Sequence, residues 1–434
     1  NLAETQPTPP NPRGYSNLCG LYNQGTTCYL NSVIQSMFMT PELRKAVFAL
    51  PLCEGNLETP SNWVPFGQKR EILLALQKLF VEMQTLDVSA LSTQDLTASF
   101  RWTGDEVLIQ HDVQELSRVL FDAINRSLSG TPYQDLIYNL YKGTACNQII
   151  CKTCGTTREI EEEFWDLLLQ VSGFSSLTQS LRSLVKFELL HGDNQYFCEV
   201  CNSKSDAEKG YKLKQIPPIL TFSLNRFEYD LQTLERKKVT KKFEFPLELD
   251  MQEFLGQESN YELFAVIIHI GSAHSGHYHA YIRDLLGTGV WEPVTEESKE
   301  FQNLQTELSN EELHQNWFDF NDTSVTPIKS GKIPKQFGGQ TETAYMLIYR
   351  KASQTTTAEL PGVPDYWEPV IENLNRTYKK SREEYEELKN WIEVQVQPAE
   401  LFAFEDGLVR YLDTQTKLTD QGVSVKARVS FTFS

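Results

Sequence analysis

The sequence predicts an α+β fold. Within the first 350 residues, helical apolar periodicity comes before about residue 130, strand-like runs follow, and two Cys-x-x-Cys pairs interrupt the strand-rich part. The chain has 434 residues, enough for two or three domains. Hydrophobic residues make up 40% and charged residues 23%, so a sizeable core is expected.

Residues 1–16 are rich in Pro, Thr and Asn, nearly free of apolar side chains, and read as a disordered leader. Leu30, Ile34, Met37 and Phe38 recur at helical spacing until Pro41 interrupts them. REILLALQKLFVEMQTL at 70–86 is a second amphipathic helix. Residues 110–128 give a third, with Val113, Leu116, Leu120 and Ile124 on one face. From about 141 to 240 the texture changes to short strands. ILTFSLNRFEY at 219–229 alternates apolar and polar residues as a half-buried strand does. YELFAVIIHI at 261–270 and YHAYIRD at 278–284 read as a hairpin, and AYMLIYR closes the block at 350. Residues 290–316 are acidic and Gln/Asn-rich, a loop or marginal helix. A linker is expected over 351–364. Over 365–434 a helix and short strands suggest a small accessory domain cut short at its end.

The formal charge of −18 disfavours nucleic acid and anionic membranes as partners and suits a basic one. No apolar run approaches the roughly 18 residues that span a bilayer. The first residues lack the basic start and apolar core of a secretory signal. Four of the eight cysteines stand in Cys-x-x-Cys pairs, a metal or redox spacing, and a chain this long needs no disulfide staples. A reducing compartment, cytosol or nucleus, is expected. The Asn321-Asp322-Thr323 sequon agrees, because a lumenal glycan would land on a candidate site residue.

A nucleophilic cysteine needs a lowered pKa and oxyanion donors. GLYNQGTTCYLNS at 20–32 offers both. Gly25 and two threonines form a turn, Cys28 follows at a helix N-terminus where the dipole favours thiolate, and the Asn23 amide is available to an oxyanion. His277, in SGHYHAY at 275–281, is a candidate base on a strand edge. WFDFND at 317–322 supplies Asn321, with Asp322 adjacent, to orient the imidazole. His274 and His279 flank His277, but no carboxylate pattern supports a metal there. His111, His191, His269 and His314 read as scaffold.

Together these segments resemble the ubiquitin-specific proteases. Residues 20–32 look like that family's Cys box, 275–281 like its His box, and 317–325 like the segment with the third catalytic residue. QHDVQEL at 110–116 resembles a box on the helix facing the ubiquitin tail. The matches occur in family order over about 17–350. The resemblance implies a papain-like fold with fingers (about 141–240), palm and thumb. It implies Cys28 as nucleophile, His277 as general base, Asn321 as orienting group, and oxyanion support from Asn23 and Asp322. Gln110, Asp112, Glu115 and Tyr278 are the expected substrate-binding residues. The family often has Gly where Ser275 stands, and either Asp or Asn at the third catalytic position. A zinc ribbon is expected in the fingers. Cys151, Cys154, Cys198 and Cys201 form two knuckles suited to tetrahedral Zn²⁺, a structural ion. The implied partners are ubiquitin and ubiquitinated proteins, and the oligomeric state stays open. A catalytically silent ubiquitin-binding scaffold is the reading from another class, and the intact Cys28, His277 and Asn321 set weighs against it. A protease for another ubiquitin-like modifier would share every motif.

Overall fold

A computed structural model describes residues 8–50, 52–54, 64–65, 71–100, 113–230, 234–273, 275–290, 316–352, 359–389, 391–396, 402–405, 408–411 and 423–428. Two compact units emerge, 13–370 and a second one made of 1–12 with 371–434.

In the first unit, helix α1 (Cys28–Phe38) is buried along its whole length rather than on one stripe. Its polar residues are accommodated by hydrogen bonds. The Asn31 amide donates to the Leu21 and Tyr22 carbonyls, the Gln35 amide to Cys19 O, and the Ser32 and Ser36 hydroxyls bond back into the helix. Pro41 ends this helix and also begins another, α2 (Pro41–Ala49), where its missing N–H is one of the first-turn donors that have no partner anyway. Helix α3 (Glu71–Thr85) buries Leu73, Leu76, Leu79, Phe80 and Met83. Helix α4 (Val113–Leu128) buries Val113, Leu116, Leu120 and Ile124, the face its spacing predicts.

The strands form two main sheets. The first is built from β1 (Gly143–Cys151), β2 (Thr157–Phe164), a short strand Glu188–Leu190 and Ala207–Gln215, with β1 between β2 and the last of these. The second is the central sheet. It contains Leu167–Gln170, Ile219–Asn225, β3 (Asn260–Gly271), β4 (Gly276–Arg283), β5 (Trp317–Asn321), β6 (Ser324–Ile328) and β7 (Glu342–Lys351). Its order runs β6, β5, β4, β3, β7, Ile219–Asn225, Leu167–Gln170. The β3–β4 hairpin pairs Gly271 with Gly276 and Ala265 with Ile282.

The run at 219–229 departs from its expected alternation. Residues 219–224 are all buried, because the strand lies inside the sheet, antiparallel to β7 and parallel to Leu167–Gln170. It also stops at Asn225. Arg226 is fully buried and donates to the carbonyls of Ala344, Val239, Lys241 and Phe337, and its guanidinium is pulled down to about 10 by burial. A separate hairpin, Phe227–Asp230 with Glu235–Lys238, follows. At the far end of the first unit, Trp367 is buried, and its indole N–H and the Tyr366 hydroxyl bond to Gln77 Oε1 on α3.

In the second unit, most of helix α5 (Glu368–Lys389) carries exposed charged residues, and Arg382 bonds to Asn11. Two antiparallel pairs follow, Trp391–Val396 with Val423–Arg428 and Phe402–Glu405 with Leu408–Tyr411. Among the described residues no helix is long and apolar enough to cross a membrane. Residues 291–315 of the expected loop and 353–358 of the linker lie outside the described residues.

Candidate active site

Cys28 is the first residue of α1, so the free N–H groups of the helix's first turn surround it. The turn before it is organised by Asn23, whose Oδ1 accepts from the backbone N–H of Gly25 and of Thr27, each at 3.0 Å. The Thr27 hydroxyl accepts from Gln24 N at 2.9 Å. The Cys28 side chain reaches β4, where the Tyr278 backbone N–H donates to Sγ at 3.4 Å. Cys28 is only 3% exposed.

His277, near the start of β4, is half-buried. Its Nε2–H donates to Asn321 Oδ1 at 2.7 Å across to β5, which leaves Nδ1 for Cys28. The hydrogen bond with Cys28 is the strongest influence on this imidazole and raises it to about 9. Partial burial opposes the shift, and the Asn321 hydrogen bond and the charges of Cys28 and Asp322 add to it. The neighbouring His269 behaves oppositely. Burial, then Lys238 and His277, hold it down to about 4, so it is neutral beside a charged partner. Gly276 makes this packing feasible: a Cβ there would lie 2.1 Å from His269 Nε2 and 2.4 Å from Ile270 O. The close approach that this glycine allows is therefore to β3.

Asp322 occupies the left-handed region at φ 47° in the turn after β5. Its carboxylate bonds to two asparagines rather than to the ring of His277. Oδ1 accepts from Asn31 Nδ2 at 2.8 Å, and Oδ2 accepts from Asn23 Nδ2 at 3.1 Å. Its carbonyl accepts from Leu21 N at 2.8 Å. Gly20 lets the two segments meet, since a Cβ there would stand 2.6 Å from Asp322 O. The segment carrying Cys28 thus docks directly on the turn carrying Asn321. Asn31, three residues after Cys28, is a member of this network that residue-type reasoning did not single out. Its position on the inner face of a helix headed by a nucleophile was the available signal.

The ring of Tyr278 packs against His269 and Tyr345, so its contact with Cys28 is through the backbone. Glu115 is exposed in the first turn of α4. Gln110, His111, Asp112 and His274 lie outside the described residues.

A second cluster lies at the end of the first sheet. Cys151 ends β1, Cys198 ends the strand Tyr196–Cys198, and Cys154 and Cys201 sit in the turns that follow. The pairing of Ala207 with Cys151 carries the second knuckle to the first across residues 155–197. The four sulfurs lie within 4.8 Å of one another, with Cys151–Cys201 at 3.9 Å and Cys154–Cys198 at 3.6 Å. Tetrahedral Zn–S bonds of about 2.3 Å place sulfurs about 3.8 Å apart, so the donor set fits a zinc ion. The sulfurs share protons unequally: the Cys154 backbone N–H pulls the Cys151 thiol down to about 6, while the hydrogen bond with Cys154 pushes the Cys201 thiol up to about 12.

The family model described as ubiquitin carboxyl-terminal hydrolase matches residues 19–349. Ubiquitin carboxyl-terminal hydrolase 40 of Homo sapiens is 34% identical over 94% of this chain and 42% of its own length. The protein of the same name in Mus musculus is 44% identical over 70% of this chain and 25% of its own length. Ubiquitin carboxyl-terminal hydrolase 47 of Drosophila melanogaster is 32% identical over 85% of this chain and 27% of its own length. The chain spans less than half the length of each of these relatives.

Proposed function

The chain belongs to the ubiquitin carboxyl-terminal hydrolase family, and from that premise we propose that it is a thiol-dependent deubiquitinase, hydrolysing the isopeptide or peptide bond after the C-terminal glycine of ubiquitin. The observation that carries the proposal is the meeting of Cys28, His277 and Asn321 from three separate stretches of chain.

In this reading the Cys28 thiolate, paired with imidazolium at His277, attacks the glycine carbonyl carbon. Charge moves to the carbonyl oxygen, where the second Nδ2 hydrogen of Asn23 and the N-terminus of α1 receive it. The C–N bond breaks as His277 gives its proton to the departing lysine amine. Water then attacks the thioester, giving its proton to the now neutral His277, and ubiquitin leaves with a free carboxylate as Cys28 is restored. Asn321 is the orienting residue, because its oxygen holds His277 Nε2–H. Asp322 supports the oxyanion side by holding Asn23. The Cys28 contact with Tyr278 N–H supports the thiolate.

Within the family's papain-like arrangement, the sheet of β1 and β2 corresponds to fingers, the central sheet to the palm and the helices around α1 to the thumb. A structural zinc ion at Cys151, Cys154, Cys198 and Cys201 holds the fingertip. Gln110, Asp112, Glu115 and Tyr278 are the proposed substrate-binding residues. Residues 365–370, expected with the accessory region, belong to the first unit, and 371–434 form an accessory, ubiquitin-like region. A cytosolic or nuclear setting suits an enzyme that depends on a reduced nucleophile and free cysteines.

The test is hydrolysis of ubiquitin–fluorophore. Cys28→Ala and His277→Ala should each lose on the order of 10³-fold or more in kcat. Asn321→Ala should lose less, because it orients without exchanging a proton. Ubiquitin carrying a C-terminal electrophile should label wild type once, at Cys28. Near wild-type turnover by Cys28→Ala would overturn the assignment.

A further inference from the structure

Two residues beyond the catalytic histidine, the same strands carry a second His–Asx pair. His279 on β4 is 3% exposed, and its Nδ1–H donates to Asp319 Oδ1 on β5 at 2.7 Å. Side chains two apart on a strand share a face, so His277 and His279 project together, as do Asp319 and Asn321. The strand register puts Ala280 opposite Phe320 and Tyr281 opposite Asp319. Continued by one residue, it puts His279 directly opposite Asn321. Both histidines therefore bond on the same diagonal, each to the residue two positions before its direct neighbour.

That register creates a competition. Directly opposed residues in an antiparallel pair have Cβ atoms about 4.5–5.5 Å apart, within reach of a His–Asn hydrogen bond. Asn321 is thus placed to accept from His279 as well as from His277, and only the second arrangement orients the base. His279 Nε2 is buried without a partner among the described residues, so Asp319 is the group there that directs the ring.

We propose that Asp319 is a positioning residue: by engaging His279 it keeps that ring off Asn321 and leaves the Asn321 oxygen to His277. The inference rests on the catalytic reading of Cys28, His277 and Asn321 given above. It specifies a role for a carboxylate that touches neither substrate nor nucleophile.

The decisive comparison uses ubiquitin–fluorophore kinetics on the whole chain. Asp319→Leu should reduce kcat by about 10–100-fold, as misplacing a catalytic group does, with KM changed little. Adding His279→Phe to Asp319→Leu removes the competitor and should recover most of that loss. Asp319→Asn, which keeps an acceptor oxygen, should also recover it. A pair that served only stability would make the double variant at least as poor as the single one, and that result overturns the proposal. Should Asp319→Leu not fold, His279→Phe alone carries the test. It should stay within about threefold of wild-type kcat, and a tenfold loss in a folded protein overturns the idea. Asn321→Ala separates this inference from the catalytic assignment: if it loses nothing, the assignment itself fails. Iodoacetamide alkylation of Cys28 against pH gives a readout free of ubiquitin. Asp319→Leu should displace that profile in the same direction as Asn321→Ala, and an unmoved profile rejects the proposal.

Discussion

The Asn23 side chain is held at 3.1 Å by the carboxylate of Asp322, the residue next to Asn321, which hydrogen-bonds His277. One turn thus bonds both to the segment before Cys28 and to the strand that carries His277. Asn321 reaches forward to His277, and Asp322 reaches back to Asn23 and Asn31. Removing one oxyanion donor in enzymes of this type costs about 10²–10³ in kcat. Asn23→Ala should fall in that range. Asp322→Ala should lose less, about tenfold, because Asn23 keeps its backbone contacts to Gly25 and Thr27. The two losses should not multiply in the double variant, since Asp322 acts through Asn23. Fully multiplicative losses in kcat would show that Asp322 acts elsewhere, and kinetics on the three variants decides it.

His277 and the neighbouring His269 should titrate in opposite directions. His277 is raised to about 9 and His269 lowered to about 4, against about 6.5 in an unfolded chain. The His277 contribution to stability is complete below about 6.5 and is lost as pH rises toward 9. The His269 contribution is complete above about 6.5 and is lost as pH falls toward 4. The kcat/KM profile should therefore show an alkaline limb near 9, where the imidazolium disappears. Cys28→Ala removes the strongest influence on His277, so its NMR titration should move down while that of His269 changes little. A wild-type His277 titrating near 6.5 would contradict the ion pair.

Much of this site was legible because its chemistry is local in sequence. Cys28 sits at the head of a helix whose turn residues precede it, and His277 follows a glycine. What stayed hidden depends on long-range pairing. Asp322 touches Asn23 and Asn31 only because the turn after β5 docks on a segment some 300 residues earlier. The sequence alone left its carboxylate between two roles, a neighbour of Asn321 and an oxyanion support beside Asn23, and gave no contact for either. Periodicity located α4 and the β3–β4 hairpin correctly. It misread residues 219–224, because burial on both faces of a central strand erases the requirement for alternation. It also ran through Arg226, whose charge sits among four carbonyls: Ala344 on β7, Phe337, and Val239 and Lys241 just beyond the following hairpin. Single-sequence patterns carry no signal for such a cradle.

The cysteine cluster leads to a prediction about metal. Purified protein should contain about one zinc per chain, and Cys154→Ser should lose it, although Cys154 is the most exposed of the four ligands. The first sheet is separate from the sheet that carries His277 and Asn321, so zinc loss should raise KM for ubiquitin–fluorophore more than it lowers kcat. Elemental analysis and kinetics on the chelated protein check this. Metal-free protein with unchanged melting temperature and unchanged KM would remove the ion from the fold.

The start of α4 bears on how an acidic protein grips a basic tail. Glu115 is exposed in the first turn of that helix, and Asp112 stands three residues before it. Both belong to the segment resembling the family's tail-facing box, and the extended ubiquitin tail carries arginines. Bidentate carboxylate–guanidinium contacts would set register as well as affinity. Each is worth roughly 1.5–3 kcal/mol, so losing both should weaken the complex by more than tenfold. An acidic residue in a first helical turn also stabilises the helix by about 0.3–1 kcal/mol, which gives the competing explanation. The two separate by salt. Asp112→Ala with Glu115→Ala should raise KM for ubiquitin–fluorophore and flatten its dependence on ionic strength, since exposed charges are screened within about 10 Å at 0.1 M. A helix-stability effect would instead lower the melting temperature and leave the salt slope as it was. An unchanged KM at two salt concentrations would exclude both carboxylates from the tail site.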